Sequence, residues 1–269
     1  MPLWIALLLG IVEGLTEYLP VSSTGHLVLA GHVLGLPDDD STKSFEIVIQ
    51  LGAILAVVAY YRGLLARHLR GLLAGETASL YLAGALGIAF FPTAVAGLLL
   101  RKAIKAHLFG LAPVAGALVV GGLLMIVVER LRRRSAVQGE EGLEAVTPVR
   151  ALAIGLGQCV SMWPGSSRAM CTIVAGQLTG LSTATAAEFS FLLALPTLGA
   201  ATLFEAYKAR HELASGASGG ALAVGLVVSF VVAWGVVATF LTYLKKRGLE
   251  PFGWYRVVLG AVVIWLLAR

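Results

Sequence analysis

The sequence predicts an all-α polytopic membrane protein, with about six transmembrane helices and two reentrant helix hairpins arranged as inverted repeats. Three observations predict it. Of the 269 residues 58% are hydrophobic and 13% charged, with mean hydropathy +0.88, against about 25% charged residues in soluble domains. Six apolar stretches approach or exceed the roughly 20 residues that cross a hydrocarbon core. A short motif recurs once at a constant offset along the chain.

Residues 1–36 are apolar but interrupted by proline, glycine, serine and charge. That suits a helix pair that enters and turns back, since broken helices at membrane depth need protein or a watery cavity around them. Spans follow at 44–61 and 80–100, completing a first repeat over about 1–105. The stretch 110–129 is a connecting span, and 133–149, with Gln138, Gly139, Glu140, Glu141 and Gly142, reads as an exposed cytoplasmic linker. Residues 148–181 have the same broken apolar character as 1–36 and form the second hairpin. Spans at 186–206 and 219–244 complete a second repeat over about 150–247, and 252–268 is the final span of a single membrane domain, 1–269.

The repeat rests on Pro20-Val21-Ser22-Ser23 matching Pro164-Gly165-Ser166-Ser167 and Phe45 matching Phe189, all at an offset of 144, with an acid beside each phenylalanine (Glu46 and Glu188). An odd number of crossings between corresponding points inverts the second copy, a recurrent membrane architecture. Arg62, Arg67, Arg70, Arg130, Arg132, Arg133, Arg134, Arg150, Lys245, Lys246 and Arg247 then share one side. Lys43, Arg101, Lys102, Lys105, Lys208, Arg210 and Arg269 share the other. The richer side is cytoplasmic by the positive-inside rule, and both termini face outward.

The formal charge of +5 therefore reports topology and not nucleic-acid binding. Cys159 and Cys171 lie in apolar surroundings without metal-ligand spacing and read as small packing residues. Residues 1–12 lack a basic leader and a small-residue cleavage site, so they are expected to stay on the chain.

Chemistry is expected where charge enters the apolar runs. Glu13 and Glu17 are four apart, which on a helix puts their Cβ atoms roughly 6 Å apart on one face. A charge near the bilayer centre costs roughly 3 kcal/mol on the insertion scale, so a like-charged pair there is a functional candidate; an interfacial, solvated pair is the bland alternative. After Pro20 come Ser22, Ser23, Thr24 and His26. Ser22 and His26 have the i,i+4 spacing of an activated nucleophile pair, although the hydroxyls also suit a helix N-cap. In the second hairpin Gly165, Ser166, Ser167 and Arg168 combine a helix start, two hydroxyls and a fixed cation, the parts of a phosphate cradle. Carboxylates facing a phosphate call for a divalent cation, Mg²⁺ or Ca²⁺, with Glu13 and Glu17 as its oxygen ligands. Glu46 and Gln50 could line the pocket; Glu188 and Glu205 are ambiguous, and His32, His68, His107 and His211 read as interfacial.

The segments EGLTEYLPVSSTGH (13–26), FEIVIQLGAILAV (45–57), PGSSR (164–168) and EFSFLLALP (188–196) together resemble the undecaprenyl-diphosphate phosphatase (bacitracin-resistance) family, over essentially the whole chain. The resemblance implies a multi-pass bacterial inner-membrane enzyme with inverted repeats and divalent-cation dependence. It would remove the terminal phosphate of a polyprenyl diphosphate and so recycle the carrier lipid of envelope polymers. Glu13 and Glu17 match the family's acidic pair, Ser23 and His26 its serine and histidine, Ser167 and Arg168 its second motif. Where members commonly carry Ser-Gly-Ala-Thr, this chain has Ala169-Met170-Cys171-Thr172. The expected chemistry has Arg168, the 165–167 amides and the cation binding the diphosphate. Ser23 then attacks with His26 or Glu17 as base, or Glu17 activates a water while Ser23, with Ser22 and Thr24, orients phosphate. The expected partners are a polyprenyl diphosphate and the bilayer, with no nucleic acid; a homo-oligomer is compatible with the sequence. A lipid transporter or flippase is the alternative, since inverted repeats and broken helices also build carriers.

Overall fold

The computed structural model describes residues 1–37, 39–108, 110–135, 139–208, 210 and 219–268. Gln138 and His211 lie outside them, and the side chains of Arg101, Lys102, Lys105, Lys245 and Arg269 are likewise not described. The described residues are helical almost throughout, in the order α1 (Leu3–Thr16), α2 (Ser23–Val33), α3 (Asp40–Tyr60), α4 (Arg62–Leu73), α5 (Thr77–His107), α6 (Leu111–Arg134), α7 (Pro148–Val160), α8 (Arg168–Leu178), α9 (Thr183–Lys208), α10 (Gly219–Arg247) and α11 (Glu250–Leu267). The protein is an all-α polytopic membrane protein.

Among the described residues six helices are long and apolar enough to cross a membrane: α3, α5, α6, α9, α10 and α11. They coincide with the six expected spans, and most run longer because their ends extend into polar residues. The two broken segments resolve into α1–α2 and α7–α8. At 14, 11, 13 and 11 residues none of the four exceeds about 21 Å at 1.5 Å per residue, short of the roughly 30 Å core. Each pair turns back within the bundle.

One helix was not expected. The sequence reading places Arg62, Arg67 and Arg70 on one side of the membrane without an element of their own, yet α4 is amphipathic, with these arginines on one face and leucines on the other. The linker also differs from a free tether. Glu140 N–H donates to Gly180 O (2.9 Å) and Ser182 N–H to Glu140 O (2.9 Å), and Arg150 grips the Glu140 carboxylate, so residues after 139 are bound back onto the second hairpin. This pairing holds the exposed Glu140 carboxyl below the usual carboxylate range, chiefly through the Arg150 hydrogen bonds.

Packing is closest along three seams. The helix α11 lies against α6, α10 against both α3 and α1, and α5 against α7, with α8 held between α7 and α9. In lipid such seams form by close backbone approach: a Cβ on Gly14 of α1 would stand 2.8 Å from Ser229 O of α10. The largest buried cluster joins Tyr18, α3, α8, α9 and α10 through residues such as Ile173, Phe189, Phe191 and Phe240. Thus α8 of the second hairpin and the span α9 sit at the centre.

Candidate active site

Both hairpins turn on a serine in the left-handed region. Ser22 (φ 75°) and Ser167 (φ 71°) are the non-glycine residues with positive φ among those described, a conformation that costs of order 1–3 kcal/mol and clusters at functional sites. Each serine then caps the helix that it starts. Ser22 Oγ accepts from Gly25 N–H and Ser167 Oγ from Met170 N–H, both at 3.2 Å. The conformational counterparts are therefore Ser22 and Ser167, one residue out of step with the letter match that paired Ser23 with Ser167. The second turn contains one more residue after its proline, and Gly165 (φ 95°) accommodates it. By this register Ser23 and Arg168 each open a helix immediately after its left-handed serine.

The two turns meet. Ser23 Oγ donates to Glu17 Oε2 at 2.5 Å, and Arg168 Nη2 donates to Glu17 Oε1 at 3.1 Å. The other prong of Arg168, Nη1, bonds Ser190 O and Oγ, each at 3.1 Å. Its guanidinium stands 5.5 Å from the Tyr18 ring centroid. The ion pair is nearly sealed, with 9% and 4% of the two side chains exposed. Burying such a pair gives little net stability, so its retention needs another reason. Arg168 Nε is buried without a partner, a donor held ready for a ligand.

Glu17, Ser22, Ser23, Thr24, Gly165, Ser167 and Arg168 line one cavity of about 200 Å³, far more than the roughly 30 Å³ of one water. The rest of the lining is uncharged: Gln50, Thr93, Gln158, Ser161 and Thr197 supply polar groups, beside Pro164, Leu198 and Ala201.

Three of the expected residues lie elsewhere. Ser166 is buried outside the lining. His26 does not reach a serine hydroxyl: Nδ1 bonds Ser22 O and Nε2 bonds Tyr255 Oη, both at 2.7 Å, and the ring stacks on Tyr255. The i,i+4 spacing delivers His26 to the main chain of Ser22, because the Ser22 hydroxyl is turned inward as the cap. Glu13 is buried behind Glu17 with its carboxyl against that of Glu17 and near Glu46, and its Oε1 has no hydrogen-bond partner. Among the described residues no three His, Cys, Asp or Glu side chains are grouped to enclose a metal. Mg²⁺, however, usually takes only one or two carboxylates and completes its shell with waters and substrate phosphate. The orphaned Glu13 oxygen beside Glu17 fits that limited role.

Residues 6–262 match the family model described as Bacitracin resistance protein BacA. The chain belongs to this family. The undecaprenyl-diphosphatase of Sorangium cellulosum (strain So ce56) is 62% identical, with 97% of this chain and 85% of the relative covered. That of Rhizorhabdus wittichii is 48% identical, with 97% of each covered, and that of Wolinella succinogenes 45%, with 99% of each.

In this BacA family member the departure after Arg168 is absorbed by packing. Ala169 and Met170 are buried in the main core, with the Met170 methyl facing Gly121 of α6. Thr172 Oγ1 pairs with Ser190 Oγ at 2.6 Å, which steadies the hydroxyl that Arg168 uses. Ser190, Thr93, Gln158 and Thr197 were not foreseen. Thr93 and Thr197 each follow a proline inside a helix, Pro92 and Pro196, the one sequence sign that these positions are special.

Proposed function

We propose that the protein hydrolyses undecaprenyl diphosphate to undecaprenyl phosphate and inorganic phosphate in the bacterial plasma membrane, returning the carrier lipid to cell-wall synthesis. The activity is that of the enzymes it is similar to, a phosphoric anhydride hydrolase. One observation carries the assignment to this site: a single carboxylate, Glu17, bonds both the Ser23 hydroxyl of the first turn and the Arg168 guanidinium of the second. Nucleophile, base and anion holder of phosphoryl transfer are thereby in contact.

Arg168, with Nε free and Nη1 steadied by Ser190, binds the diphosphate together with the Ser167 and Gly165 wall and with Ser22 and Thr24. Ser23 Oγ attacks the terminal phosphorus; the Oγ–P bond forms, the bond from phosphorus to the bridging oxygen breaks, and Glu17 takes the hydroxyl proton. The distance of 2.5 Å is within the reach that a general base needs. Undecaprenyl phosphate departs with the proton that Glu17 took; a water then attacks the phosphoserine, its O–P bond forms as the Oγ–P bond breaks, and Glu17 accepts the water proton and returns it to Ser23 Oγ, releasing inorganic phosphate. His26 holds the first turn through Ser22 O and is not the base. Glu13 and Glu17 would hold Mg²⁺ or Ca²⁺, which offsets the repulsion between carboxylate and phosphate.

The test is phosphate release from undecaprenyl diphosphate by the detergent-solubilised chain, with and without a chelator. Release that depends on the divalent cation is expected. Lipid movement across vesicles without any release would instead make the protein a carrier.

A further inference from the structure

The last helix lies outside both hairpins, yet it carries the most deeply enclosed cation of the described residues: Arg256 of α11 is completely buried. A guanidinium at membrane depth must use its donors, and Arg256 uses them on main-chain carbonyls. Nη1 donates to Pro20 O (3.1 Å), Nη2 to Gly165 O (2.8 Å) and Ala117 O (3.0 Å), and Nε more distantly to Leu118 O (3.4 Å). Pro20 precedes the left-handed Ser22 by two residues, and Gly165 precedes the left-handed Ser167 by two. One planar group therefore spans corresponding atoms of the two turns, while α6 supplies its remaining acceptors. The helix α6 makes room with Gly121, where a Cβ would press directly on Nη2. Arg256 is absent from the cavity lining, so it reaches the reacting groups only through the turns.

We propose that Arg256 is a positioning residue, fixing the spacing of the two turns and so the alignment of Ser23 and Glu17 against Arg168. This rests on the assignment of those three residues to phosphate chemistry. A lysine cannot replace it: a compact ammonium lacks the planar fork that reaches two separate carbonyls. A misplacement of about 1 Å in such a site lowers turnover on the order of 10²-fold.

The experiment measures kcat, KM and thermal midpoint for phosphate release by the full-length protein in detergent. The variants are Arg256→Lys, Gly121→Ala, Arg168→Lys, Arg168→Ala and the double variant Arg168→Lys with Arg256→Lys. Arg256→Lys is expected to lower kcat per folded molecule on the order of 10²-fold with little change in KM. Gly121→Ala keeps the cation but displaces it, and should shift kcat the same way; it carries the test if Arg256→Lys does not fold. The double variant should lose less than the product of the single losses, because both act on one alignment. Wild-type kcat per folded molecule in both Arg256→Lys and Gly121→Ala, or strictly multiplicative losses, overturns the proposal. Full turnover by Arg168→Lys and Arg168→Ala would instead overturn the underlying site assignment.

Discussion

The two hairpins share a backbone device and differ in burial and in chemistry. In each, a short helix ends, a serine enters the left-handed region, caps the next helix, and hands the following position to the cavity. After Ser22 that position is Ser23; after Ser167 it is Arg168. The second hairpin is the anchored one: Ala169, Met170, Cys171, Thr172, Ile173, Val174, Gly176 and Gln177 of α8 are all buried, whereas α2 buries only Gly25 and Leu27. One structural turn thus serves two ends. A permanent charge needs a rigid mount, since it must meet phosphate without reorganising. Ser23, the nucleophile proposed above, sits on the more exposed arm, where a lipid head group can arrive.

The largest effect is expected from removing the anchored cation. Arg168→Ala should reduce phosphate release by about 10³-fold or more, the range for losing an arginine on a transferring phosphoryl group, with helix content by circular dichroism retained. A near-wild-type rate would mean that the second hairpin is scaffold only. Next comes the acid of the first hairpin. Glu17→Gln should lower kcat by about 10²–10⁴-fold, as for loss of a general base, read as phosphate release per folded molecule in detergent.

The caps test the shared device more gently. Ser22→Ala and Ser167→Ala should each lower stability by about 1 kcal/mol, and the glycine variants by only a few tenths, because glycine accepts the positive φ without strain. Thermal unfolding in detergent reads this, and unequal losses in the two turns would break the parallel. The smallest effect belongs to the linker. Glu140 has its carboxyl held low by Arg150, so its stabilising contribution is present above the usual carboxylate range and fades as pH falls through the lowered value. Glu140→Gln should leave activity unchanged and remove only a slight part of the stability seen at neutral pH; melting curves at neutral and acid pH that differ equally from wild type would contradict this.

Much of this was legible in the sequence because membranes impose a simple rule. Long apolar runs gave α3, α5, α6, α9, α10 and α11, and charges inside apolar runs pointed to Glu17 and Arg168. The same rule applied to Arg256 would have found it, but the apolar run around it reads first as a plain span. The helix α4 was missed because three arginines and a histidine within residues 62–70 break the hydropathy, although its leucines keep a helical stripe. His26 was drawn toward catalysis by its spacing from Ser22; only the positive φ of Ser22, invisible in the letters, turns the hydroxyl away. Ser190 left no sign, since its contact with Arg168 spans 22 positions and joins two helices. The register of the turns was misread by one for a similar reason, because identity of letters favours Ser23 with Ser167 while conformation pairs Ser22 with Ser167.

Acid quenching during turnover of undecaprenyl diphosphate labelled in its terminal phosphate tests most directly whether the two hairpins act on one head group. Label on the peptide that contains Ser23 is expected in the wild-type protein, and none in Arg168→Ala. Turnover of Ser23→Ala at the wild-type rate, with no labelled peptide in either protein, would contradict it.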